Sequence, residues 1–94
     1  MGGPRTAREV RLWHWRKVMT HRANAVMFQK QMEAWEIENA PLKNRWSRSK
    51  MNQQNGVADW HLNAVQALNE FVSGTAEQDE IESKLYNHIP RRGT

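Results

Sequence analysis

From Thr6 onward the chain alternates apolar and polar residues with the period of a helix, and the first Gly or Pro after Pro4 is Pro41. Thr6-Ala7-Arg8-Glu9 fits a capping box, in which a Thr hydroxyl and a Glu carboxylate three residues on satisfy free amides of the first turn. A helix is therefore predicted over 7–39, about 50 Å long at the usual rise. Asn39-Ala40-Pro41 stops it, because Pro41 disfavours helical geometry at Ala40 and cannot donate a backbone bond. One apolar stripe joins Val10, His14, Val18, His21, Ala25, Phe28, Met32 and Trp35; a second joins Leu12, Trp15, Met19, Ala23 and Val26 on another side. A helix apolar on two sides needs two neighbours, which calls for a partner chain or further helices.

Residues 42–54 form a basic segment, read as helix or turn-rich chain broken near Asn55-Gly56. The pattern resumes over 57–73, where His61, Ala64, Val65, Leu68, Phe71 and Val72 share a face and Ser73-Gly74 ends the run. Thr75-Ala76-Glu77-Gln78 is a second capping box, and Ile81, Leu85 and Ile89 continue at steps of four before Pro90, predicting a short helix over 76–88. Residues 1–6 read as a flexible N-terminus and 90–94 as a mobile basic tail. No strand-like alternation or internal repeat stands out. The expected fold is all-α, one domain over 1–94, with a long N-terminal helix packed against two or three shorter ones.

Composition sharpens this. Ninety-four residues, 38% of them hydrophobic and 26% charged, support one modest core, and sharing it with partner chains relieves the shortage. Cysteine is absent, which removes disulfides, thiolate metal sites and thiol nucleophiles and points to the cytoplasm, or to a virus particle assembled there. No apolar run approaches the ~18 residues of a membrane span, so no membrane partner is expected. Met1-Gly2-Gly3-Pro4-Arg5-Thr6 makes only a loose match to a myristoylation signal.

The net charge of +4 is unevenly spread: residues 1–58 hold eleven Lys/Arg against four Asp/Glu, and residues 59–94 three against six. Such polarity suits a polyanion on the first part, or head-to-tail contact between copies; the plainer reading is a solvated surface. Arg5, Arg8 and Arg11 repeat every third residue, and Lys43, Arg45, Arg48 and Lys50 surround Trp46. Cations neutralise phosphates and an exposed Trp stacks on bases, so these residues are the candidates for nucleic-acid contact. Five tryptophans are many for this length, and Trp13 and Trp15 point about 200° apart on a helix, too far for one core. Core packing is the plain role for Trp15, Trp35 and Trp60. Candidates for protein contact are Trp13, Val18, Phe28, Met32 and Trp35, since large rings desolvate much area at low entropy cost.

Chemistry finds little purchase. His14 and His21 stand about 10 Å apart along a helix, and His61 and His88 have no His or carboxylate at a useful sequence spacing. Nucleophile motifs, Gly-rich phosphate loops and paired zinc-ligand motifs are absent, so no enzyme, cofactor, metal or small-molecule substrate is expected. Glu77, Asp79, Glu80 and Glu82 fit the helix dipole of the third helix, while Glu33, Glu36 and Glu38 are expected to pair with Lys30, Lys43 or Arg45 or with another copy. Short, cysteine-free, Trp-rich and charge-polarised, the chain resembles in general style the small virion or accessory proteins of tailed bacteriophages, a likeness of composition and not of motif. The leading expectation is an oligomeric structural or assembly protein that packs on copies of itself or on a larger protein assembly; the alternative is a small nucleic-acid-binding regulator using 5–22 and 43–50.

Overall fold

A computed structural model describes residues 5–88 and contains three helices: α1 (Ala7–Ile37), α2 (Pro41–Leu68) and α3 (Ala76–His88). The fold is all-α; of residues 1–6, expected to be flexible, 1–4 lie outside the described residues, as does the basic tail 90–94, while Thr6 caps α1. The principal extents are 59 × 32 × 26 Å, the shape of a two-helix rod with a short third helix beside it. None of these helices is long and apolar enough to cross a membrane.

Both predicted capping boxes form. The Glu9 amide donates to Thr6 Oγ1 at 3.1 Å, and the Gln78 amide donates to Thr75 Oγ1 at 3.1 Å. At Thr75 the box is reciprocal, its own amide donating to Gln78 Oε1 at 3.2 Å, whereas at Thr6 the hydroxyl meets the Glu9 carboxylate directly at 3.3 Å. The first helix stops at Ile37, two residues short of expectation, because Asn39 takes a left-handed φ of 57°. The Ala40 amide then reaches back to Trp35 O at 2.8 Å and the Asn39 amide to Glu36 O at 3.1 Å, the paired bonds of a Schellman motif. Pro41, the stop signal, is also the first residue of α2, where its missing N–H has no helical partner to lose.

The expected break near Asn55-Gly56 does not occur. Segments read as a basic stretch over 42–54 and a helix from 57 are one continuous α2, and the second segment ends at Leu68 and not at 73. The reason is the seam: α1 presents Arg11, His14, Val18, His21, Ala25, Phe28, Met32 and Trp35, and α2 presents Asn44, Ser47, Met51, Gln54, Ala58, His61, Val65 and Leu68, all at alternating steps of three and four. Every one of these is buried or half-buried, so the two helices pack as an antiparallel coiled-coil hairpin. The α1 stripe thus begins at Arg11, not at Val10. Packing on both sides of Gly56, at Gln54 and Ala58, outweighs the helix cost of about 1 kcal/mol that a glycine carries. Phe71, expected on the second helix face, falls in the following turn and is exposed.

The seam is unusually polar and small. Among the described residues the buried apolar side chains are Val18, Ala25, Ala58, Val65 and Ala76, while Arg11, Ser47 and His61 are buried with them. Asn44 Nδ2 donates to Met32 O at 2.7 Å, and among the described residues Ser47 Oγ has no hydrogen-bond partner.

Candidate interaction surface

α3 is fastened to α1 by arginines that sequence reasoning had offered to nucleic acid. Arg11 is fully buried; its guanidinium donates to Asn69 Oδ1, Val72 O, Gly74 O and Ser73 O at 3.0–3.2 Å and pairs with Asp79 at 3.0 Å. Arg8 pairs with the other Asp79 oxygen at 2.8 Å, and Arg16 with Glu80 at 2.6 Å. Arg11 is therefore unavailable to phosphate, and Arg8 is engaged; Arg5 is exposed. Asp79 and Glu80, read as dipole-stabilised, are held chiefly by these cations, whereas among the described residues Glu33, Glu36 and Glu38 form no ion pair.

Helical geometry also divides the basic segment around Trp46. Lys43, Trp46 and Lys50, spaced three and four apart, share one side of α2, and Arg45 and Arg48 line a separate hollow with Pro41 and Asn44. On the Trp46 side the face carries Lys43, Trp46, Lys50, Val57 and Trp60 from α2. The same side of the hairpin receives Trp13, Lys17, Met27 and Gln31 from α1, because in an antiparallel pair equal offsets from the two seams point the same way. Contacts fix this: Trp13 lies edge-on to His61 at 5.6 Å between centroids, and Trp60 edge-on to His14 at 5.9 Å.

Three tryptophans carry a lysine. Lys17 Nζ lies 5.3 Å from the Trp13 centroid, Lys43 Nζ 4.6 Å from Trp35 and Lys50 Nζ 5.6 Å from Trp46. Each ammonium sits over a ring face, which attracts cations through its quadrupole. From Trp13 to Ala34 on α1 and from Lys43 to Ala67 on α2, the heptad positions that make up this face hold no Asp or Glu. Trp60, for which core packing was the plain role, is 64% exposed, Trp46 is 54% exposed, and Trp13 and Met27 are exposed as well. At the end near the α1–α2 turn the face deepens into an open groove of about 480 Å³ lined by Gln31, Trp35, Leu42, Lys43 and Trp46.

The protein-contact candidates divide accordingly. Val18 is fully buried inside the chain, in the seam between α1 and α2. Phe28 and Met32 are half-buried in the seam, Phe28 lying edge-on to Trp46 at 5.8 Å. Trp13 reaches the surface and Trp35 the groove. On the opposite side Leu12 lies beside α3, and Met19 and Val26, from the second predicted stripe, remain exposed.

Beneath the Trp13–Trp60 end lies a histidine group that sequence spacing missed. His61 comes between two histidines of α1: its Nδ1 is 2.9 Å from His14 Nδ1, and its ring stacks on His21 at 5.8 Å. His21 Nδ1 in turn bonds Gln54 Oε1 at 2.7 Å. The expectation that His61 has no histidine nearby is thus corrected. It failed because the proximity is between helices, and only the pairing of positions 14 and 61 across the seam creates it. Burial and the neighbouring His14, His21 and Lys17 charges push the His61 pKa below its ordinary 6.5, and burial lowers that of His14. Among the described residues no group of three or more His, Cys, Asp or Glu side chains is arranged to hold an ion. Comparison with protein-family models, with curated proteins and with solved structures finds no match to the chain.

Proposed function

We propose that the chain is a non-catalytic assembly protein, a helical hairpin that completes its core by packing on copies of itself or on a larger protein assembly. The observation that carries this reading is the contrast between core and surface. The buried apolar set is two valines and three alanines, whereas Trp13, Met27, Trp46 and Trp60 stand exposed along one carboxylate-free face and Met19 and Val26 along another. Burial of apolar area is worth about 25 cal/mol per Å², so rings of this size contribute more in an interface than the alanine seam does in the hairpin. Tryptophan is also among the residues on which interface binding energy concentrates. A small protein of a virus particle assembled in the cytoplasm is one setting that suits such a role.

The same face supports a second reading, binding of single-stranded nucleic acid, since Trp rings stack on bases and Lys17, Lys43 and Lys50 neutralise phosphates. Light scattering with the 260/280 nm absorbance ratio separates the two. Assembly is expected to give a mass several times 11.1 kDa that nuclease leaves unchanged. A monomer at high concentration overturns packing on copies of itself and leaves docking on a larger assembly, and co-purified nucleic acid released by salt favours the second reading.

A further inference from the structure

Resting on the assembly reading, we infer that the partner of the Trp–Lys groove is α3 of a second copy of this chain. The two surfaces match in shape and charge. The groove is apolar at its floor, formed by Trp35, Leu42 and Trp46, and carries Lys43 and Lys50 over its rings with no carboxylate in its lining. α3 offers the reverse. With Asp79 and Glu80 turned to the arginines of α1, its outer side shows Ile81 and Leu85, one turn apart and 59% and 56% exposed. Glu77 and Glu82 flank that pair and form no ion pair among the described residues. An amphipathic helix laid in a groove uses this pattern, apolar anchors at a step of four and charges at the rim.

The occupant has to come from another molecule. α3 is pinned beside Arg8, Arg11 and Arg16, and the groove begins near Gln31 and Trp35, roughly 25 Å further along α1 at the helical rise. α3 also lies against Leu12, on the side of α1 away from Trp13 and Lys17. Donor and acceptor surfaces thus sit at opposite ends and on opposite sides of the rod. A contact between them is heterologous, each copy giving its α3 to one neighbour and receiving that of another, which builds rings or open filaments. The charge asymmetry along the sequence, basic first part and acidic second, has its structural counterpart in this pair of surfaces.

Charge reversal in two chains tests this. Lys43→Glu with Lys50→Glu reverses the groove, and Glu77→Lys with Glu82→Lys reverses α3; all four side chains are exposed or half-buried, and helix content by circular dichroism checks that each variant folds. Wild type is expected to show a mass that grows with concentration in steps of 11.1 kDa. Each reversed chain alone repels itself and should associate at least about tenfold more weakly. Mixed in equal amounts, the two restore both complementary contacts and should recover the wild-type mass. If both folded variants assemble like wild type, or if they dissociate and the mixture does not recombine, the α3 contact is overturned while the assembly reading stands. A wild-type monomer at high concentration overturns the α3 contact together with self-assembly.

Discussion

Arg11 shows how one side chain can change role between sequence and fold. On the chain it is the third of three arginines at equal spacing, a pattern that reads as a phosphate comb. In the structure the same spacing places Arg8 and Arg11 on the side of α1 that receives the turn after α2, where Arg11 gathers the carbonyls of Val72, Ser73 and Gly74 together with Asp79. Five hydrogen bonds, one of them the ion pair to Asp79, compensate a guanidinium with no exposure to water, although among the described residues its Nε finds no acceptor. Removing one partner of such a group strands the others. Arg11→Ala is expected to cost about 3–5 kcal/mol, lowering the melting temperature by more than about 10 °C for a chain of this size. Arg11→Lys should recover only part of the loss, since a point charge cannot replace the planar fork. Thermal unfolding by circular dichroism reads both, and an unchanged melting temperature for Arg11→Ala would remove Arg11 from the tertiary structure's supports.

At the scale of the element, the two capping boxes and the short helix over 76–88 were legible because they are local. Thr6 with Glu9 and Thr75 with Gln78 satisfy amides three residues away, which no distant contact needs to decide. The middle of α2 was not legible for the opposite reason. Asn52-Gln53-Gln54-Asn55-Gly56 has weak helix propensity and turn-like composition, and only Gln54 meeting His21 and Asn24, with Ala58 buried next to it, makes the helix continuous. With residues 43–50 helical, Lys43, Trp46 and Lys50 share one side of α2 and Arg45 and Arg48 another, so the basic cluster is divided between two faces. Gly56 therefore carries an unrecovered helix cost. A Cβ there meets nothing within 4 Å. Gly56→Ala is expected to stabilise the protein by about 1 kcal/mol, raising the melting temperature by roughly 4–8 °C. A fall in that temperature would mean that α2 is bent or broken at this point in solution.

Across the whole molecule, the histidines make the hairpin's stability depend on acidity. His14 and His61 share one hydrogen bond between their Nδ1 atoms, which requires one ring to donate and the other to accept. Two protonated rings both donate, and the contact becomes a repulsion. His61 is buried against His14, Lys17 and His21 of α1, no carboxylate acts on it, and α3 packs elsewhere; its pKa, like that of His14, therefore lies below the ordinary 6.5. In the unfolded chain these rings take up protons as the pH falls through about 6.5. The folded chain takes them up only at lower pH. Between those points the unfolded state binds more protons, so folding stability is fully present above pH 6.5 and declines below it. Melting temperature is expected to be flat from pH 8 to 7 and to drop between pH 6.5 and 5.5, above the range in which carboxylates with ordinary pKa values titrate. The pair sits under Trp13 and Trp60, so the same change loosens the floor of the interaction face. Replacing both rings, His14→Leu with His61→Leu, keeps an apolar layer of similar size at that level of the seam and should abolish most of the drop. A wild-type melting temperature constant down to pH 5.5, or an equal decline in the double variant, would show that the histidine layer does not set the acid response.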